Sequence, residues 1–130
     1  MFRIMKKNAY RLTGLLYLLV IIFAGFSQGF VRGTLMVPGD AAATASNIVQ
    51  QEALFRLGLS LDLVAFILDA IISVLLYVIF KPFGKNLALT ASTLRLVAHP
   101  AIGSLNLLNH FMANQVLGEA EYLAAYDANQ

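Results

Sequence analysis

The sequence contains three apolar segments that are long enough to cross a lipid bilayer, and these constrain the fold more than any other feature. They run from about residue 9 to 31, from 53 to 80 and from 86 to 117. A helix rises about 1.5 Å per residue, so the first segment is roughly 34 Å long, and about 20 apolar residues suffice to span a bilayer. The sequence therefore predicts an all-α integral membrane protein with three transmembrane helices.

The composition agrees with this class and excludes several others. The chain of 130 residues is 59% hydrophobic and 12% charged, whereas soluble domains carry about 25% charged residues. It contains no cysteine, which excludes a disulfide scaffold and any zinc or iron–sulfur site built on thiolates. Because the basic residues lie at the ends of the apolar segments, the small positive net charge predicts no nucleic-acid partner.

The basic residues also predict an orientation in the membrane. Six basic residues flank the N-terminal end of the first segment and the turn between the second and third segments, and two lie at the opposite side. The cytoplasmic ends of membrane spans are enriched in Lys and Arg. The first group is Arg3, Lys6, Lys7, Arg11, Lys81 and Lys85, and the second is Arg32 and Arg56. We expect a cytoplasmic N-terminus. A signal peptide is the alternative for the first segment, but the residues after Phe26 have no Ala-x-Ala cleavage site.

The connection from 32 to 52 carries the signals of a turn followed by a helix. Pro38 and Gly39 favour a turn, Asp40 is a good N-cap, and an alanine-rich stretch follows. We expect a short interfacial helix on the outer side of the membrane. The acidic tail from 118 to 130 is expected to be an exposed connection.

Three glycines in the first segment, Gly25, Gly29 and Gly33, are spaced four residues apart. This spacing places them on one face of a helix, where small residues let a second helix approach closely. The pattern favours close packing within the chain, with a homodimer interface as the alternative.

Ionisable residues inside the second and third segments are the strongest functional signal, because such charges are costly in a bilayer and are paired or functional. Asp69 lies twelve residues before Lys81, and Arg95 lies ten residues after Lys85. Both are therefore roughly 15 to 18 Å from the turn between the helices, which predicts that they form a pair.

Further polar residues extend this match outward. Asp62 and Asn106 lie at similar depth, as do Arg56 and His110, and His99 follows Arg95 by one helical turn. We call this set the polar ladder: Arg56, Asp62, Asp69, Arg95, His99, Asn106 and His110. Two interpretations stay open: an ion pair that fixes the register of two helices, or a buried acid with its counter-ion in a proton relay or transport path.

The sequence predicts no cofactor. His99 and His110 could each be an axial ligand of haem, but two bis-histidine sites need further histidines and the chain has two in total. A metal site from His110, Asp62 and Asn106 is a weak hypothesis, because the ligands lack the spacing of known metal motifs. The sequence contains no Gly-rich phosphate loop, nucleophile elbow or closely spaced pair of catalytic carboxylates, so we predict no enzyme.

Several motifs resemble a family of bacterial multi-pass membrane proteins known as domain of unknown function 4386. They are Arg11-Leu-Thr-Gly-Leu-Leu-Tyr17, Gly29-Phe-Val-Arg-Gly33, Val37-Pro-Gly-Asp-Ala-Ala-Ala-Thr-Ala45, Leu54-Phe-Arg-Leu-Gly58 and Leu105-Asn-Leu-Leu-Asn-His110. The resemblance covers nearly the whole chain, and it corresponds to the N-terminal half of such a protein. It implies a helical membrane fold and location in the bacterial inner membrane, and it supplies no catalytic residues.

Two functional hypotheses follow. The first is an accessory or structural subunit that lies in the lipid bilayer and packs against other membrane proteins or a second copy of itself; three helices enclose little space, which favours it. The alternative is a small transporter or proton-relay component that uses the buried Asp, Arg and His residues of the polar ladder.

Overall fold

A computed structural model describes the backbone of residues 2–117 and the side chains of residues 7–116. Within this part the chain is helical throughout apart from short turns, and it contains no strand. The predicted tail from 118 to 130 lies outside the described residues. Three long helices, 2–35, 52–83 and 85–117, are joined by one short helix and two turns.

The first long helix is longer than the segment predicted from the sequence. It consists of α1 (Phe2–Ala24), a π-helical segment (Gly25–Val31) and one further turn, α2 (Arg32–Leu35). The prediction that a connection begins at residue 32 is therefore wrong. The helix ends at Met36, where the backbone becomes extended, with φ −89° and ψ 125°.

The short helix α3 (Ala41–Gln50) begins where the sequence predicts. Asp40 is its N-cap, and the carboxylate accepts a hydrogen bond of 2.8 Å from the backbone N–H of Ala43. Gly39 precedes the cap with a φ of 82°, a conformation that costs glycine little because it has no Cβ. The α3 helix contacts α6 as well as α2 and α4.

The second long helix is α4 (Glu52–Phe80), extended by a 3-10 turn (Lys81–Phe83). Pro82 lies in that turn, where its missing N–H ends the regular helix. The third long helix consists of α5 (Lys85–Leu96), a second π-helical segment (Val97–Ala101) and α6 (Ile102–Leu117). Pro100 lies inside the π-helical segment, and the wider turn accommodates a proline that cannot donate a backbone hydrogen bond.

The helix α4 is central, because it packs against α1 and against all three parts of the third long helix. One buried cluster, Leu16, Val20, Ala65 and Ile72, joins α1 to α4. A second buried cluster, Val31, Leu35, Ile48 and Phe55, joins the end of the first long helix to α3 and the start of α4. Apolar contacts thus hold α4 against the first long helix and α3.

Two glycines permit the closest helix contacts. A Cβ added at Gly58 would lie 2.9 Å from Cγ1 of Val31, and the Gly58 carbonyl accepts a hydrogen bond of 3.0 Å from the Ser27 hydroxyl. A Cβ added at Gly103 would lie 2.5 Å from Cε1 and Cζ of the Phe66 ring. The sequence analysis identified neither glycine as a contact point.

The glycines that the sequence analysis did identify lie elsewhere. A Cβ added at Gly25, Gly29 or Gly33 would have no atom within 4 Å among the described residues. The expected packing of this strip within the chain is therefore wrong for the described part of the fold. The first long helix turns its α4-facing side, including Ser27 and Val31, inward and leaves the strip on the outside.

Two helices are long and apolar enough to cross a membrane: Lys7–Leu35, with a mean hydropathy of 2.0, and Glu52–Phe83, with 2.7. Only 17% and 22% of their most apolar stretches are buried inside the bundle. Large apolar side chains such as Ile21 and Val74 are about two-thirds exposed. The third long helix, 85–117, is long enough but less apolar than these two, because its first part carries many polar side chains.

The Gly103 contact gives a first prediction. Replacing Gly103 with Ala forces the Phe66 ring to move, at a cost of about 1–3 kcal/mol, which exceeds the roughly 0.5–1 kcal/mol gained by alanine in a helix. We expect a lower midpoint of thermal unfolding in detergent for Gly103→Ala. The control is Gly14→Ala, because Gly14 lies in α1 with open space around it, and its midpoint should stay equal or rise. A Gly103→Ala midpoint at or above the wild-type value would contradict the close contact.

Candidate functional site

Asp69 lies in the middle of α4 and is completely buried. Its two carboxylate oxygens contact two cationic or titratable groups of the third long helix: Oδ1 contacts Nη2 of Arg95, and Oδ2 contacts Nδ1 of His99. Arg95 and His99 are four residues apart and so lie on one helix face. The structure thus places Arg95 against Asp69, the residue predicted from the sequence to lie at the same depth. His99 contacts the same carboxylate.

The first long helix also reaches this group. The guanidinium carbon of Arg95 lies 5.1 Å from the centroid of the Tyr17 ring of α1, which is a cation–π contact. The Nε of Arg95 is buried and has no hydrogen-bond partner among the described residues. Side chains from all three long helices therefore meet around Asp69.

A second ion pair lies two turns away along α4. Asp62 is 1% exposed, and its Oδ2 lies 2.5 Å from Nη2 of Arg32 in α2. The sequence analysis matched Asp62 to Asn106 by depth, and the structure corrects this: the partner of Asp62 is an arginine from the first long helix. The other oxygen, Oδ1, is buried without a hydrogen-bond partner in the described part of the chain.

The sequence did not identify Arg32 as the partner of Asp62. Arg32 lies in the Gly29-Phe-Val-Arg-Gly33 motif of the family resemblance, but its charge is interpreted from the sequence as that of a flanking basic residue. In the structure the π-helical segment Gly25–Val31 carries the helix past this point, and Arg32 directly follows it. The wider π turn changes the direction of the side chains after it, and such turns are frequent at functional sites.

A cavity of about 480 Å³ lies between the two ion pairs. Arg32 and Gln28 of the first long helix, Phe66 of α4, and His99 and Asn106 of the third long helix form much of its wall. The remaining wall residues are Ala98, Ile102, Gly103 and Leu107. Arg32 contacts the buried carboxylate of Asp62 and His99 contacts that of Asp69, so the wall of the cavity includes a contact of each buried acid.

Phe66 fixes the orientation of the His99 ring at this wall. The two ring centroids are 5.5 Å apart and the ring planes are inclined by 73°, which is an edge-to-face contact. Cε1 and Cζ of the Phe66 ring lie over Gly103, where no side chain interferes. His99 therefore contacts both the Asp69 carboxylate and an aromatic ring.

Other members of the predicted polar ladder lie outside this group. Arg56 was predicted to be buried, which is wrong: its side chain is 64% exposed and pairs with Glu52 at 2.6 Å, one helical turn away. His110 is half-buried, with its ring centroid 6.4 Å from that of Phe55. Asn106 lies in the cavity wall, and within residues 7–116 its side chain forms no hydrogen bond with Asp62 or Asp69.

The two buried ion pairs affect the stability of the fold more than an exposed ion pair does. Removing one partner of a buried pair costs about 3–5 kcal/mol, because the other charge stays buried and uncompensated. An exposed pair such as Glu52 with Arg56 contributes about 0.3–0.5 kcal/mol. The two arginines balance the two aspartates, and His99 is a further titratable side chain in the cavity wall.

The described residues contain no group of three or more His, Cys, Asp or Glu side chains that could hold a metal ion. The hypothesis of a metal site from His110, Asp62 and Asn106 therefore gains no support from the geometry. What the site offers is a set of charged and hydrogen-bonding groups around a cavity.

An all-helical bundle with two ion pairs buried between its helices is thus the class that the fold and the site define. The model of the family described as "Domain of unknown function (DUF4386)" matches residues 12–130, and the chain belongs to that family. The matched region includes both ion pairs and the cavity. Neither the curated proteins nor the solved structures contain a match to the chain.

The pair between Asp69 and Arg95 gives a second prediction. We expect Asp69→Asn to lower the free energy of unfolding by roughly 3–5 kcal/mol, and we expect the double variant Asp69→Asn with Arg95→Gln to recover part of the loss. The measurement is a double-mutant cycle from denaturation in mixed micelles. The same cycle on Glu52 and Arg56 is the control and should give a coupling of a few tenths of a kcal/mol. Equal losses in the single and double Asp69 variants would contradict the buried pair.

Proposed function

We propose that the chain is an integral membrane protein of the bacterial inner membrane with three spans and a cytoplasmic N-terminus, and that it acts as a small transporter or proton-relay component. Two features support the location in a membrane. The helices Lys7–Leu35 and Glu52–Phe83 are long and apolar enough to cross one, and most of their apolar side chains face away from the bundle. The core helix of a soluble protein would bury those side chains instead.

The direction of the side chains in residues 85–117 supports a third span. This helix is roughly 50 Å long, which exceeds a bilayer core of about 30 Å. Its charged groups Arg95 and His99 turn inward onto Asp69, while Leu94, Leu105 and Leu108 are 64%, 65% and 58% exposed. The surface left for lipid is therefore more apolar than the composition of the segment suggests.

One observation carries the transport proposal: the cavity reaches His99 and Arg32, and each of them contacts a buried acid. An ion pair that only fixes the register of two helices needs no cavity beside it. Ionisable groups that line a cavity within a membrane bundle are typical of ion and proton paths. For this reason we prefer the transport hypothesis to the accessory-subunit hypothesis that the sequence favoured.

His99 is the residue that would exchange protons. Asp69 contacts Nδ1 of His99, and an imidazole can accept or release a proton at a ring nitrogen. Arg95 contacts the other carboxylate oxygen of Asp69.

One feature of the first long helix supports the accessory-subunit hypothesis. Gly25, Gly29 and Gly33 form an open strip on the first long helix, with no atom of the described residues within 4 Å of an added Cβ. A strip of small residues on an apolar helix allows close approach by another membrane helix. The partner would be another membrane protein or a second copy of the chain.

The proposed topology gives a third prediction, and the absence of native cysteine makes it easy to test. Single cysteines are placed at Asn8, Ala42, Asn86 and Ala128, and intact cells are treated with a membrane-impermeant maleimide. We expect Ala42→Cys and Ala128→Cys to react from outside, and Asn8→Cys and Asn86→Cys to react only after the membrane is disrupted. Reaction of Ala128→Cys only after disruption would contradict a third span. Reaction of all four from outside would contradict the membrane proposal.

Proton transport gives a fourth prediction. The full chain is reconstituted in vesicles that contain a pH-sensitive dye, and proton uptake is followed after a pH step. We expect His99→Gln to lower the uptake rate about 100-fold or more, which is the factor that a general acid–base group contributes to proton transfer. Glu52→Gln, which changes an exposed acid outside the cavity, should leave the rate unchanged. Wild-type vesicles without uptake, together with stoichiometric co-purification of the chain with a larger membrane complex, would favour the accessory subunit.

A further inference from the structure

We infer that the cavity between the two ion pairs binds a small oxyanion, that is, a carboxylate or phosphate group, through Arg32 and His99. This inference rests on the transport proposal, and it names the class of molecule that the cavity accepts. It concerns binding alone, so it can be tested without any measurement of flux.

The charges at the wall of the cavity favour an anion. Arg32 and His99 are the charged or titratable side chains of the wall among the described residues. Asp62 and Asp69, at 1% and 0% exposure, are buried and do not line the cavity. A ligand in the cavity therefore meets cationic and N–H donor groups, and a cation would meet no carboxylate.

The donors of Arg32 are largely free for a ligand. The guanidinium has five N–H donors in a planar fork, and its recorded hydrogen bond within residues 7–116 is the one from Nη2 to Asp62. Its side chain is 26% exposed, so it is partly buried but still accessible. A planar fork with free N–H groups is suited to two parallel hydrogen bonds with a carboxylate or phosphate.

Three further groups of the wall can complete the site. The imidazole of His99 lies in the wall, and its Nδ1 contacts Asp69. The side-chain amides of Gln28 and Asn106 lie in the same wall and can donate hydrogen bonds. The donors come from the first and third long helices, so an oxyanion between them would be held from two sides.

The size of the cavity fits a small ligand. A volume of about 480 Å³ falls in the range of roughly 300–1,000 Å³ that is usual for small-molecule sites. The Phe66 ring forms an apolar part of the wall, and it can lie there because Gly103 has no side chain. The site therefore offers polar groups for the oxyanion and an apolar surface for a short carbon chain.

The charge balance of the site predicts that a proton accompanies the anion. Arg32 and Arg95 already balance Asp62 and Asp69, so an added anion leaves one negative charge within the bundle. His99 can neutralise this charge by taking up a proton at a ring nitrogen. Four charged groups surround His99. The carboxylate of Asp69 in α4 stabilises a protonated ring, whereas Arg95 on the same helix and Arg32 across the cavity disfavour one. Asp62 is paired with Arg32 and offsets its charge.

The test measures oxyanion binding to the purified full chain in a non-ionic detergent that contains no phosphate. The probes are inorganic phosphate, acetate and the anionic lipid phosphatidylglycerol, each followed by calorimetry and by the shift in thermal unfolding midpoint. We expect saturable binding of at least one probe. Saturation by phosphate or acetate alone assigns the site to a free anion, whereas saturation by phosphatidylglycerol alone assigns it to a lipid headgroup.

The variants keep the buried charges balanced so that the chain still folds. The double variant Arg32→Gln with Asp62→Asn removes the guanidinium and its counter-ion together, and we expect binding about tenfold weaker or more, as for loss of hydrogen bonds to a charged group. His99→Gln should weaken binding and abolish proton uptake on binding. The matched control is Glu52→Gln with Arg56→Gln, an exposed pair away from the cavity, which should leave binding unchanged.

Two results would overturn the inference. One is the absence of saturable binding by all three probes, and the other is equal affinity in the wild type and the Arg32 and Asp62 double variant. Binding without proton flux in vesicles would contradict transport and leave the oxyanion site intact. Flux without oxyanion binding would contradict the site and leave the relay intact.

Discussion

Asp62 and Asp69 are both almost completely buried on one helix, and each charge must be compensated where it lies. Removing a carboxylate from water costs several kcal/mol, which only a well-placed cation and further hydrogen bonds can offset. Asp62 takes its cation from the first long helix and Asp69 from the third. The central helix α4 is therefore tied to each neighbour by one charge, at two heights two turns apart. Rotation or sliding of either neighbour would leave a buried carboxylate unpaired, so the pairs fix the register of all three helices.

The two π-helical segments lie next to these pairs. Gly25–Val31 directly precedes Arg32, and Val97–Ala101 contains His99. Each segment widens one turn of an otherwise regular helix and so changes the direction of the side chains around it. Pro100 accounts for the second segment, because it cannot donate to the regular helical ladder. Gln28 and His99 of the cavity wall thus lie within the π-helical segments, and Arg32 directly follows the first of them.

Close helix contacts and the cavity are linked through small residues. Gly58 brings the first long helix near α4, and the Ser27 hydroxyl bonds to its carbonyl oxygen. Gly103 leaves room for the Phe66 ring, which in turn positions His99. The glycine strip of Gly25, Gly29 and Gly33 has no such role within the described residues, although its spacing is the better-known motif. A four-residue spacing defines a face of a helix but does not tell which way that face turns.

The sequence alone determined what depends on neighbouring residues and on distance along a helix. Apolar length predicted long helices, Asp40 predicted the start of α3, and counting from Lys81 and Lys85 brought Asp69 and Arg95 to one depth, because the rise per residue is fixed. Only the tertiary structure decided which faces meet. It placed Arg32 against Asp62, brought His99 to Asp69, turned the glycine strip outward and left Arg56 at the surface. The physical reason is that the rotation of each helix about its axis is set by packing, and a single widened turn shifts every residue after it.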